Sequence, residues 1–117
     1  MLVHLGYVAL GGALGSVLRA LLGMAVAFPF GTLAVNVLGS LLIGVAFASG
    51  LADRTGAHPF LMLGILGGFT TFSTFSLDAL KLMQSGQSAA AGAYVVASVV
   101  LSALAVWVGY TVAERWV

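Results

Sequence analysis

Residues Gly67 to Phe75 read GGFTTFSTF, a run of two glycines, three threonines and a serine inside an otherwise apolar segment. Glycine costs a helix about 1 kcal/mol relative to alanine, and threonine and serine hydroxyls compete for its backbone hydrogen bonds. The run therefore predicts a helix that ends near Gly67 and Gly68 and restarts beyond a hydroxyl cap at Thr70 or Thr71. Freed carbonyls at the first end suit a hard cation, and freed N–H groups at the second suit an anion. Phe72 and Phe75, three residues apart, share a helical face with the hydroxyls of Thr71, Ser73 and Thr74 around them. Ring edges carry positive partial charge and hydroxyls donate hydrogen bonds, so this face can meet an anion. An isolated pair of phenylalanines at this spacing reads as core packing. Beside a polar break it reads as the wall of a polar conduit.

Other residues could complete such a conduit. The Asn36 amide is flanked at four-residue steps by Thr32 and Ser40, and it reads either as glue between helices or as pore lining. Tyr94, Ser98 and Ser102 form a second polar stripe at the same spacing. Arg19 either snorkels to the nearer surface or fixes a positive charge beside a wet vestibule that attracts anions. It lies in line with Gly11, Gly15 and Gly23, a stripe of small residues that lets helix backbones approach closely; Asn36, Ser40 and Gly44 do the same. Several chemistries are excluded. There are no cysteines, and His4 and His58 are too few and too far apart to suggest zinc. A net charge of +1 provides no basic stripe for nucleic acid, and no glycine-rich loop carries the lysine of a nucleotide-binding P-loop. No catalytic constellation is present, so the chain does not read as an enzyme.

The elements that must position these residues are membrane helices. Of 117 residues, 62% are hydrophobic and 6% charged, which indicates one all-α integral membrane domain. Apolar runs over about residues 2–28, 32–52, 59–83 and 89–112 each reach the ~20 residues that cross hydrocarbon as a helix. Pro29 with Gly31, the stretch ADRTGAHP and the stretch QSGQS mark the three turns. Ala25-Val26-Ala27 resembles a signal-peptidase site, but no Lys or Arg precedes the apolar run, the run is too long, and Arg19 lies within it; the segment is expected to stay as the first span. Arg54 and Arg115 fall on the face that holds the termini, and Arg19 and Lys81 towards the other. Basic residues thus give no preferred orientation. A chain without bias is able to insert both ways and pair antiparallel with a second copy about a twofold axis in the membrane plane. Both breaks would then meet at the midplane.

At this point the sequence resembles the CrcB (Fluc) family of fluoride channels. The likeness is carried by GGALGSVLR on the first helix, GTLAVNVLGSLLIG on the second, GILGGFTTFSTFSLD on the third, and the Tyr94 and Ser98 pair on the fourth. The resemblance implies a dual-topology homodimer in the plasma membrane of a bacterium, with two fluoride pathways and a structural sodium at the dimer centre. By similarity the backbone carbonyls of Gly67 and Thr70 hold the sodium. Phe72 and Phe75 line the pathway, Asn36 bonds near them, and Ser73, Thr74, Tyr94 and Ser98 add a polar track, with Thr32 nearer one mouth and Arg19 in the vestibule. Two positions depart from the usual pattern: Ala20 follows Arg19 where an aromatic residue often stands, and Asp78 replaces a frequent glutamate.

The physical logic is consistent with that likeness. Fluoride is small and strongly hydrated, so a selective path must replace its water with close donors while excluding larger anions by width. Asp53 and Glu114 lie near span ends and Asp78 lies beyond the break, which favours passive flow over proton-coupled exchange. Two rivals remain. A small multidrug proton antiporter shares the length and hydropathy but requires a carboxylate in the first span, where this chain has none. A non-transporting assembly subunit leaves the cost of the break unexplained.

Overall fold

The computed structural model describes residues 1–116, and its order is all helical: α1 (Leu2–Ala25), α2 (Phe30–Ser49), α3 (Leu51–Thr55), α4 (Pro59–Leu66), α5 (Gly67–Phe69), α6 (Ser73–Gln84) and α7 (Ser88–Glu114). Four segments are long and apolar enough to cross a membrane: α1, α2, the stretch Pro59–Gln84 and α7. The largest extent of the molecule is 49 Å, ample for a hydrocarbon core of about 30 Å.

Each boundary has a local cause. The first span stops at Ala25, short of the expected residue 28, because Val26 turns to an extended conformation; a cis Phe28–Pro29 bond leads into α2. The second span stops at Ser49 because Gly50 adopts the left-handed conformation, φ 63°, which only glycine takes without strain. The residues beyond it form α3 as a separate turn of helix. The segment α4 is wound as a wide π-type coil in which the Gly67 N–H reaches back to the Met62 carbonyl, five residues earlier. Gly67 and Gly68 do not end the helix. Gly67 has ordinary right-handed dihedrals, and the first residue to leave the helix is Thr70, at φ −86° and ψ 159°.

Many large apolar side chains lie outside and many of the buried positions are small residues. Leu2, Leu10, Leu21, Phe30, Phe47, Val96 and Trp107 are all exposed, while Gly11, Gly15, Gly39, Gly44, Gly64, Ala91, Ala105 and Gly109 are buried. Lipid tails are as apolar as leucine, so helices in a bilayer gain nothing by hiding large side chains and gain most from close backbone contact. The spans pair in two parallel sets. Gly11 and Gly15 of α1 lie on the backbone of α4 and α5, and Gly44 of α2 and Gly109 of α7 lie reciprocally on each other's helices.

Gly15 shows what this packing demands. A Cβ there would overlap the Ile65 carbonyl and come within 2.9 Å of the Phe69 nitrogen, whereas a Cβ at Gly92 on α7 would meet nothing within 4 Å. Backbone cannot step aside as a flexible side chain can. Gly15→Ala is therefore expected to cost roughly 1–3 kcal/mol through overpacking, and Gly92→Ala to be neutral or slightly stabilising through helix propensity. Thermal unfolding of the two purified variants in one detergent checks the contrast, and equal midpoints would refute the packing account.

Candidate functional site: a polar break between four helices

At the break, Thr70 is extended and α6 starts only at Ser73, so the i to i−4 ladder is interrupted and its groups must bond elsewhere. Asn36 of α2 supplies two of the replacements. Its Oδ1 accepts from the Thr71 N–H at 2.8 Å, and its Nδ2 donates to the Thr71 carbonyl at 2.9 Å. One amide thus clamps one peptide residue from both sides, and its second N–H is left to face away from the clamp. Arg19 Nε donates to the Gly68 carbonyl at 3.0 Å. The Thr70 hydroxyl donates back to the Leu66 carbonyl at 3.1 Å, and the Thr74 N–H bonds the Thr71 hydroxyl at 3.2 Å. Thr71, rather than Thr70, is the hydroxyl that serves the start of α6. Among the described residues no hydrogen bond reaches the carbonyls of Gly67 or Thr70.

These two carbonyl-bearing residues line a depression of about 540 Å³ together with Asn36, Gly39, Ser40, Phe72, Phe75, Ser98 and Ser102. Its polar donors come from three separate elements, α2, the break and α7. Phe75 is 7% exposed and Phe72 is 76% exposed; their rings meet edge-on, centroids 5.4 Å apart at 66°. Beneath them Tyr94 packs on Phe75 with centroids 5.4 Å apart. Ser98 is 5% exposed, and its Oγ is the buried side-chain polar atom without a hydrogen-bond partner among the described residues. A buried hydroxyl left unpaired costs about 1–3 kcal/mol, so water or an ion is the expected partner at that point.

A smaller cavity of about 160 Å³, bounded by Arg19, Thr32, Val35, Thr71 and Thr74, shares Thr71 with this depression. A neighbouring cavity of about 230 Å³ shares Thr32 and Thr74 and adds Asp78 and the Phe28–Pro29 turn. The two cavities put three hydroxyls and one guanidinium along a route from the α1–α2 turn to the break. Arg19 is half-buried, not snorkelling free; the bond from its Nε shows that it serves the helix end as well as any vestibule.

The structure therefore gathers Asn36, Gly67, Thr70, Phe72, Phe75 and Ser98 around one depression, and Arg19, Thr32 and Thr74 around the smaller cavities. Tyr94 stands between, under Phe75. Ser73 is exposed, and among the described residues its hydroxyl reaches only that of Thr71, at 3.5 Å. Asp78 has a place that the sequence reading left open. It is 5% exposed within the third span and receives the Tyr94 hydroxyl at 3.4 Å, long for an O–H···O bond. The spacing was legible in the sequence, since Phe75, Asp78 and Leu82 share one helical face, but that this face is buried came from the structure.

Comparison with known proteins agrees across nearly the whole chain. Residues 6–110 match the family model described as CrcB-like protein, Camphor Resistance (CrcB). The chain is 53% identical over 116 residues to a protein of Rhizobium meliloti (strain 1021) named fluoride-specific ion channel FluC, covering 91% of this chain and 92% of that one. Proteins bearing the same name from Rhizobium etli (strain CIAT 652) and Opitutus terrae (strain DSM 11246 / JCM 15787 / PB90-1) are 54% and 51% identical; the matches cover 90% and 92% of this chain, and 91% and 89% of those proteins.

Proposed function

This chain belongs to the CrcB-like family, and from that premise we propose that it is a fluoride-selective passive channel of the plasma membrane that lets fluoride leave the cell. The observation that carries the reading is the identity of about half the chain with relatives named as fluoride channels. The depression at the break supplies donors suited to that ion. Fluoride gives up strongly bound water only where closely placed donors replace it. The unpaired Ser98 hydroxyl, the free Asn36 N–H and the Thr32 and Thr74 hydroxyls are such donors, and the edges of Phe72 and Phe75 add a weaker electrostatic term while setting the width. A negative-inside potential drives an anion outward by about 2.3 kcal/mol per 100 mV without other input.

The working unit in this proposal is an antiparallel homodimer in which the third span acts as two half-helices and both breaks meet at the twofold axis. Phe72, three-quarters exposed at the mouth of the depression, supports it, since a second copy would cover that ring. The donor set at the break also fits a structural sodium. Gly67 and Thr70 offer neutral carbonyl oxygens that accept no hydrogen bond among the described residues, and two chains would double them, as a hard cation requires. When bound, that ion would add positive charge at the centre of the dimer. Arg19, Gly68 and Asn36 hold the backbone that presents these oxygens.

The test is anion efflux from liposomes that contain only this protein, with fluoride and chloride compared under one potassium-valinomycin potential. Rapid fluoride release without chloride release is expected, and release of neither anion from folded protein would remove the reading. The buried Asp78 carboxylate motivates one added condition. Passive flow ignores an imposed pH gradient, whereas exchange through Asp78 would follow it.

A further inference from the structure

Gly39 lies on α2 three residues after Asn36 and faces the break. At Gly11, Gly15, Gly44 and Gly109 a Cβ would strike another helix's backbone; at Gly39 it would strike the side chain of Thr70 at Cγ2 and come within 3.2 Å of Phe69 Cδ2. Neither neighbour yields easily. Thr70 is β-branched, so its methyl and hydroxyl turn together about χ1, and the hydroxyl is held on the Leu66 carbonyl at 3.1 Å. Phe69 is buried. Displacing the methyl therefore breaks the hydroxyl bond or turns the backbone at Thr70, the residue where the chain leaves the helix. Gly39 is itself inside a regular helix, where glycine is disfavoured against alanine, so its absent side chain requires a steric reason rather than a conformational one.

We propose that Gly39 is the positioning residue for the Thr70 carbonyl. It touches no ion. By leaving room for the Thr70 methyl it lets the hydroxyl turn back on Leu66 and the extended Thr70 carbonyl stay free in the depression. The inference rests on the reading of that carbonyl as part of the ion site, and it assigns a cause for the carbonyl's position.

The experiment is a double-mutant cycle on the full-length protein: wild type, Gly39→Ala, Thr70→Ser and the double variant, each measured for fluoride efflux from liposomes and for thermal unfolding in one detergent. Thr70→Ser removes the obstructing methyl and keeps the hydroxyl. Gly39→Ala alone is expected to slow efflux about tenfold or more, and on the Thr70→Ser background, taken at whatever rate that variant shows, the same change is expected to cost much less. Wild-type efflux from Gly39→Ala, or the same loss on the Thr70→Ser background, overturns the proposal. If Gly39→Ala does not fold, recovery of a folded double variant supports the proposal and failure to recover it overturns it. Should wild type carry no fluoride, the channel reading fails separately. The unfolding midpoints then decide, because non-additive shifts support the contact between Gly39 and Thr70 and additive shifts reject it.

Discussion

Asn36→Ala is expected to slow fluoride efflux by roughly tenfold to a hundredfold, while Ser102→Ala changes it by less than about threefold. The difference follows from what each side chain holds. Asn36 bonds both polar groups of Thr71, at 2.8 and 2.9 Å, in a stretch with no helical ladder to fall back on. Truncating it leaves a donor and an acceptor unpaired at about 1–3 kcal/mol each and frees the chain to rearrange between Gly67 and Phe75. Ser102 borders the same depression on α7 without bonding to the break. Efflux from liposomes with matched amounts of folded protein measures both, and a larger loss from Ser102→Ala would exclude Asn36 as the clamp on which the path depends.

Phe75→Ile is the second large effect. The Phe75 ring is nearly buried and touches the rings of Phe72 and Tyr94, each with centroids 5.4 Å away. Isoleucine removes both aromatic contacts, worth about 0.5–1.5 kcal/mol each beyond burial, and replaces a flat electropositive edge with a branched aliphatic group. The close backbone contacts at Gly11, Gly15, Gly44 and Gly109 lie on other helices and are untouched, so the protein is expected to remain folded. Fluoride efflux is expected to fall by at least about tenfold, the scale on which misplaced positioning groups act. Size-exclusion chromatography shows whether the protein stays folded and monodisperse, and unchanged efflux from an intact protein would remove Phe75 from the proposed path.

The buried Asp78 bears on how the two variants are interpreted. Its side-chain oxygen accepts from Tyr94 directly under Phe75, so a change at position 75 reaches an acidic side chain through one intervening ring. Comparing Phe75→Ile with and without a pH gradient separates a narrowed anion path from an altered carboxylate.

Much of this protein was set by sequence alone. Hydropathy fixes four spans because hydrocarbon admits only segments that satisfy their own backbone, and Pro29, Gly56 and Gly86 punctuate the chain where turns follow, whereas the end of α2 at Gly50, short of the expected residue 52, came from the structure. The glycines and hydroxyls between Gly67 and Thr74 mark the candidate site for the same reason: such composition is costly in lipid unless it is used. The tertiary structure decided which residue leaves the helix. Thr70 does so rather than the glycines, because the Thr71 peptide is captured by Asn36 from 35 positions away in the chain, and no local propensity encodes a partner on another helix. It also decided that Arg19 caps Gly68, that Asp78 lies buried on Tyr94, and that Gly39 makes room for a methyl group. Each of these depends on two parallel helix pairs brought together at glycine contacts. Spacing along one helix gives the face a residue occupies, and only packing gives what stands opposite it.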